Sequence, residues 1–115
     1  MEILGPLAER AATRLETLGY KNVKVKAGDG YLGWPERAPF DGIVVSAGAP
    51  KVPAPLVEQL KAGGRLVVPL GEGDAMQLAI VEKSADGKTT VRRTIPVRFV
   101  PLTGPEADKD RRRPN

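Results

Sequence analysis

Phe40-Asp41-Gly42-Ile43-Val44-Val45 decides how this chain folds. Ile43, Val44 and Val45 form an unbroken β-branched run, without the polar alternation of a strand that has one wet face. Such a run is typical of a strand covered on both faces, as in a parallel sheet. Leu66-Val67-Val68 repeats the pattern downstream and reads as a second buried strand. Between the two, residues 52–60 read as a short helix with Leu56 and Leu60 one turn apart, stopped by Gly63-Gly64. Strand, helix and strand in this order make the repeating unit of a parallel α/β sheet.

Working upstream, Gly5-Pro6 opens a helix, because proline at a first helical position loses no hydrogen bond. Leu7, Ala11, Leu15 and Leu18 recur at helical spacing as one apolar stripe, and Gly19 ends the helix as a left-handed cap. Val23 and Val25 alternate with Asn22, Lys24 and Lys26, which predicts a short strand with one wet face. Residues 27–39 form a long loop where a crossover helix has room. Downstream, residues 76–82 and 90–100 are extended and joined through Ala85-Asp86-Gly87-Lys88. Asp-Gly is a strong signal for a type I′ hairpin, so an antiparallel pair is expected after the parallel strands. Residues 105–115 read as a flexible charged tail, leaving one domain over residues 1–104.

Composition narrows the chemistry. Aromatics are only 4% of the 115 residues, so the core must come from Leu, Val, Ile and Ala. The absence of cysteine excludes disulfides and thiol catalysis, and the absence of histidine argues against a zinc site. The formal charge of +4 does not imply nucleic acid, because acidic and basic residues are interleaved over most of the chain. Arg111-Arg112-Arg113 has Glu106, Asp108 and Asp110 nearby and reads as solvated. No apolar run approaches the roughly 20 residues of a membrane span, and Met1 is not followed by a secretory apolar region. A cytoplasmic protein without a membrane partner is the expectation. Glu58 and Glu72 read as surface acids.

The chemistry-bearing segment is Gly28-Asp29-Gly30-Tyr31-Leu32-Gly33-Trp34-Pro35-Glu36. It follows a predicted strand, at the carboxyl edge where open α/β sheets bind ligands. Gly28 and Gly30 let a flat ring approach the backbone. The Asp29 carboxylate suits an exocyclic amine, and equally an Asx-type turn of the loop itself. Trp34, the one tryptophan, either serves that site or caps the edge of the core.

The run GDGYLGWPERAPFDGIVVSAGAPKVPAPLVEQLKAGGRLVVPLG, residues 28–71, resembles the protein-L-isoaspartate O-methyltransferases. LAERAATRLETLGYKNV upstream and VRFVPLTG downstream are similar to the same family in order and spacing. The resemblance implies a Rossmann-like, S-adenosylmethionine-dependent fold and methylation of the free carboxylate of isoaspartyl residues in damaged proteins. By the same resemblance, Glu2 would accept from the ribose hydroxyls and Ile3 would pack beside the adenosine. Asp29 and Gly30 would hold the adenine, and Thr103 would stand near cofactor and substrate. Residues 44–47 would form the sheet edge under the methionine moiety. Ser46-Ala47-Gly48-Ala49 departs mildly from the more usual Thr-Ala-Ala-Ala.

Relatives carry a strand, a glycine-rich turn and a serine-containing segment upstream of the position that Glu2 would occupy. The expectation is therefore an N-terminally truncated domain whose catalytic residues lie in that missing segment. As an isolated chain it would bind the cofactor weakly or not at all and would be inactive. The alternative is a non-enzymatic remnant or interaction module of the same fold, self-associating through an exposed sheet edge.

Overall fold

The computed structural model describes residues 1–106; most of the expected charged tail, from 107 onward, and its arginine cluster lie outside the described residues. Helix α1 spans Gly5–Thr17 and α2 Ala54–Glu58; strands β1 to β4 span Phe40–Val44, Leu60–Leu70, Met76–Lys83 and Thr89–Val97. The four strands form one sheet in the order β1-β2-β3-β4. β1 and β2 run parallel, while β2–β3 and β3–β4 are antiparallel. The sheet is thus mixed α/β, with one parallel pair carrying the strand–helix–strand unit and an antiparallel hairpin following it.

The core is where period-two alternation puts it. Leu66, Val68 and Leu70 of β2 point to one face with Ala79 and Val81 of β3, and Leu56 of α2, Leu60 and Ala49 complete the cluster. All of them are almost entirely removed from water. Burial of this kind yields roughly 25 cal/mol per Å² of apolar surface, so this cluster is the main source of stability. Lys83 reaches across from β3 and donates to the carbonyls of Val57 (3.1 Å) and Leu60 (3.0 Å), satisfying acceptors at the end of α2.

Several expectations are corrected. Residues 22–26 form no strand: their neighbourhood pairs only through an isolated parallel bridge, Glu2 to Ala27. Two bonds define it, Glu2 N–H to Lys26 C=O (3.1 Å) and Gly28 N–H to Glu2 C=O (2.9 Å). A strand is a property of a ladder, and here the ladder has one rung. β1 is not covered on both faces, since Val44 is 79% exposed. The stripe on α1 is present but uncovered: Ala8 is the helix's one buried residue, and Leu18 is 65% exposed. Gly19 does cap this helix, at φ +85°, with Tyr20 N–H donating to Leu15 C=O.

The middle helix is also shorter than residues 52–60. It stops at Glu58 because the Gln59 carbonyl accepts from Phe40 N–H (2.8 Å), which draws the chain into the sheet, and Leu60 begins β2. Gly63-Gly64 therefore sits inside β2, where the register jumps from Phe40↔Leu60 to Gly42↔Arg65. A Cβ on Gly64 would stand 2.8 Å from the carbonyl oxygens of Asp41 and Lys61, so the bulge requires glycine there. The loop over residues 27–39 contains two single 3₁₀ turns, Gly30–Leu32 and Pro35–Arg37, and no crossover helix. The hairpin forms where expected, but its turn is not type I′. Only Gly87 in it has positive φ (+85°), Gly87 N–H donates to Ser84 C=O (2.9 Å), and Ser84 N–H closes on Lys88 C=O. The Ser84 hydroxyl also binds the Asp86 carboxylate, which favours this wider turn over the two-residue one.

Candidate functional site

A cleft of about 530 Å³ opens beside the unpaired edge of β1. That volume falls within the range of small-molecule sites. One wall is β1 and its extension through Val45, Ser46 and Ala47; the opposite wall is Met1, Glu2 and Ile3. The floor is Gly30, Gly33, Trp34 and Gln59, and the rim is residues 100–103. Gly48 fixes that rim: its N–H donates to Val100 C=O (2.7 Å), and Leu102 N–H donates to Gly48 C=O (2.8 Å). Residues distant in sequence, Glu2 and Thr103 among them, thus meet across one opening at the carboxyl end of β1.

Of the residues singled out from sequence, Glu2, Ile3, Gly30 and Thr103 all line this cleft. Asp29 does not line it. Its Oδ1 accepts from Tyr31 N–H (2.9 Å) and caps the first 3₁₀ turn, and its Oδ2 accepts from Glu106 N–H (3.3 Å). The Asx-type role is therefore present, and a carboxylate oxygen that accepts one bond has room for a further donor. Gly104 lets the carboxylate lie against the backbone, since a Cβ there would stand 2.7 Å from Asp29 Cγ. The Glu2 carboxylate accepts from Ile3 N–H (2.8 Å), and the residue stays half-buried at the cleft wall.

Two cations stand over the Trp34 ring, with Lys26 Nζ 5.6 Å and the Arg37 guanidinium 5.1 Å from its centre. Glu36 pairs with Lys26 at 3.3 Å. Its own backbone N–H, and then Lys26, hold the Glu36 carboxyl below the ordinary carboxylate range. Sequence reasoning missed Gln59, which is buried at the foot of the cleft. The available signal was its position: a lone amide between Leu56 and Leu60, on the apolar side of a helix end. Among the described residues, no group of three or more His, Cys, Asp or Glu is arranged to hold a metal, and no helix is long and apolar enough to cross a membrane.

A sequence model of the family described as protein-L-isoaspartate(D-aspartate) O-methyltransferase matches residues 1–107. The chain is 58% identical over 105 residues to protein-L-isoaspartate O-methyltransferase 1 of Nitrosospira multiformis, covering 90% of this chain and 44% of that one. It is 56% identical to protein-L-isoaspartate O-methyltransferase 2 of Syntrophobacter fumaroxidans, covering 90% and 42%. A solved protein-L-isoaspartate O-methyltransferase superposes with a TM-score of 0.81 at 33% identity, over 90% of this chain and 33% of that one. A second, from Plasmodium falciparum and solved with S-adenosyl-L-homocysteine, gives 0.73 at 25% identity, over 89% and 50%. The chain thus spans less than half the length of these curated relatives, and its four-stranded sheet is part of a Rossmann-like methyltransferase fold. With a family match across nearly all its residues and the fold to go with it, this chain belongs to the protein-L-isoaspartate(D-aspartate) O-methyltransferase family.

Proposed function

We propose that these residues form the adenosine-side part of a cytoplasmic, S-adenosylmethionine-dependent methyltransferase that acts on isoaspartyl residues of damaged proteins. The observation that carries this reading is the convergence of Glu2, Ile3, Gly30 and Thr103 on one cleft, in a chain of this family. The residues suit the group. Glu2 offers an acceptor for ribose hydroxyls, Ile3 an apolar contact, and Gly30, braced by Asp29, a small-residue floor for a flat ring. The cofactor, when bound, supplies an electrophilic methyl group. The acceptor carboxylate is already ionised at neutral pH, so the protein's work is to position and to exclude water. Thr103, which also lines the cleft, would be the residue near both cofactor and substrate.

Among the described residues the outer backbone edge of β1 has no strand partner, so the cleft is open on that side. Titration calorimetry on the 115-residue chain should therefore show S-adenosylmethionine binding that is very weak or absent; micromolar affinity would overturn this. Supplying in trans the part of the Nitrosospira relative that this chain does not match should yield methyl transfer to an isoaspartyl peptide. In that assembly, Asp29→Ala should weaken cofactor binding by about 1–3 kcal/mol, through loss of a charge-assisted acceptor and of the turn it caps. An unchanged Michaelis constant for the cofactor would remove Asp29 from the site.

A reading as an interaction module draws on the same edge. Val44 is exposed, and the β1 edge carries only Asp41 as a charge, whereas the far edge, β4, carries Arg92, Arg93 and Pro96. Charges and proline are devices that discourage edge pairing, and β1 has few of them. The isolated chain is expected to self-associate through this edge, with a light-scattering mass that rises with concentration. A second charge beside Asp41, introduced by Val44→Lys, should return it to the monomer mass.

A further inference from the structure

We propose that Gln59 is a positioning residue whose side-chain amide sets the conformation of the loop over residues 29–34, and with it the floor of the cleft. The importance of that floor rests on reading the cleft as a cofactor site; the clamp itself does not. Gln59 Oε1 accepts from Trp34 N–H (2.8 Å), and Gln59 Nε2 donates to Leu32 C=O (2.8 Å). The two bonds bracket Gly33, the residue between them, as a two-point staple. Gln59 is 8% exposed and is the one buried polar residue among those described, so water cannot readily replace either bond. Its backbone is fixed too, since its carbonyl accepts from Phe40 N–H at the start of β1.

Gly33 is shaped to this partner. It has φ +67° and ψ −148°, and a Cβ there would stand 2.8 Å from Gln59 Cδ and 2.9 Å from Nε2. The amide therefore packs against a backbone that only glycine supplies. One residue at the α2–β2 junction thus couples the core strand to the segment bearing Asp29 and Gly30. A shift at that junction is passed directly to the floor of the cleft.

Trp34 is the single tryptophan, so its emission and its amide proton report on the clamp directly. In Gln59→Leu, hydrogen exchange at the Trp34 amide should accelerate by about tenfold or more, as for any locally opened bond. Iodide quenching of Trp34 should rise, while the amides of Leu66, Val68 and Val81 keep their protection. Gln59→Glu supplies the decisive control. When protonated, the carboxyl that it introduces both donates to Leu32 and accepts from Trp34, whereas the ionised form repels the Leu32 carbonyl. Trp34 quenching in Gln59→Glu should therefore be wild-type-like in acid and should open on titration towards neutral pH. The charged groups around the ring, Lys26, Glu36 and Arg37, with Asp29 nearby, are common to the wild type, whose own titration is subtracted. Unchanged Trp34 exchange in Gln59→Leu, equal loss of protection across the core strands, or a Gln59→Glu profile identical to the wild type would each overturn the proposal. None of these readouts uses the cofactor, so they stand whether or not S-adenosylmethionine binds.

Discussion

Leu66→Ala is expected to lower the stability of this fold by about 3–4 kcal/mol, within the range for a leucine cut back in a packed core. Leu66 is fully removed from water, at the centre of β2, paired to β1 through Ile43 and to β3 through Val81. Its neighbours on both sides are held in ladders, so they cannot easily collapse into the space that the lost carbons leave. Domains of this size have about 5–15 kcal/mol in all, and α1 contributes little burial here. The variant should therefore lose from about a quarter to most of its stability while still folding at room temperature. Urea melts followed by far-ultraviolet dichroism would show the midpoint falling sharply with little change in slope. Val44→Ala is the matched control. It removes a β-branched side chain of the neighbouring strand, but one that is mostly in water, and it should stay within about 0.5 kcal/mol of the parent. Equal shifts in the two variants would mean the core has been placed on the wrong face of the sheet.

The same contrast separates what is legible in the sequence from what is not. Leu66, Val68 and Leu70 alternate along β2 with every second side chain inward, and this signal depends on the strand alone. A continuous β-branched run is less informative. Ile43-Val44-Val45 carries the pattern of a strand covered on both faces, but cover is supplied by other elements, and Val44 remains mostly in water. The same limit explains Val23 and Val25, whose pattern suits a strand but whose neighbourhood finds only the bridge at Glu2. The early end of α2 depends on a bond from Phe40 to the Gln59 carbonyl, a contact between distant positions that no local pattern contains. In the site, Glu2, Ile3, Gly30 and Thr103 stand out through a family resemblance, and the fold brings all four to one opening. Asp29 suits both a ligand and a turn by its residue type, and the bonds it makes are those of the turn and of the Glu106 backbone. Gln59 stays hidden because a glutamine at a helix end is ordinary until its two partners, on another loop, are known.

Gly33→Ala should be nearly as damaging as a core truncation, by about 3 kcal/mol, although it adds one methyl group to a loop. Two costs combine. At φ +67° and ψ −148° the backbone lies close to a region populated almost only by glycine, and an alanine held there costs on the order of 1–3 kcal/mol. The new Cβ would also press on the Gln59 amide, meeting Oε1 and standing 2.8 Å from Cδ. If the amide withdraws, the Trp34 N–H and Leu32 C=O lose their partners, each at roughly 1–3 kcal/mol where water cannot follow. The two costs can be separated. Gln59→Ala removes the amide and opens the space, so in that background Gly33→Ala should cost only the backbone strain. A double-mutant cycle by urea melts should then show the pair less destabilising than the sum of the singles, by about 1–2 kcal/mol. Strict additivity would mean the methyl group never meets the amide, and that the loop holds its shape by its glycine alone.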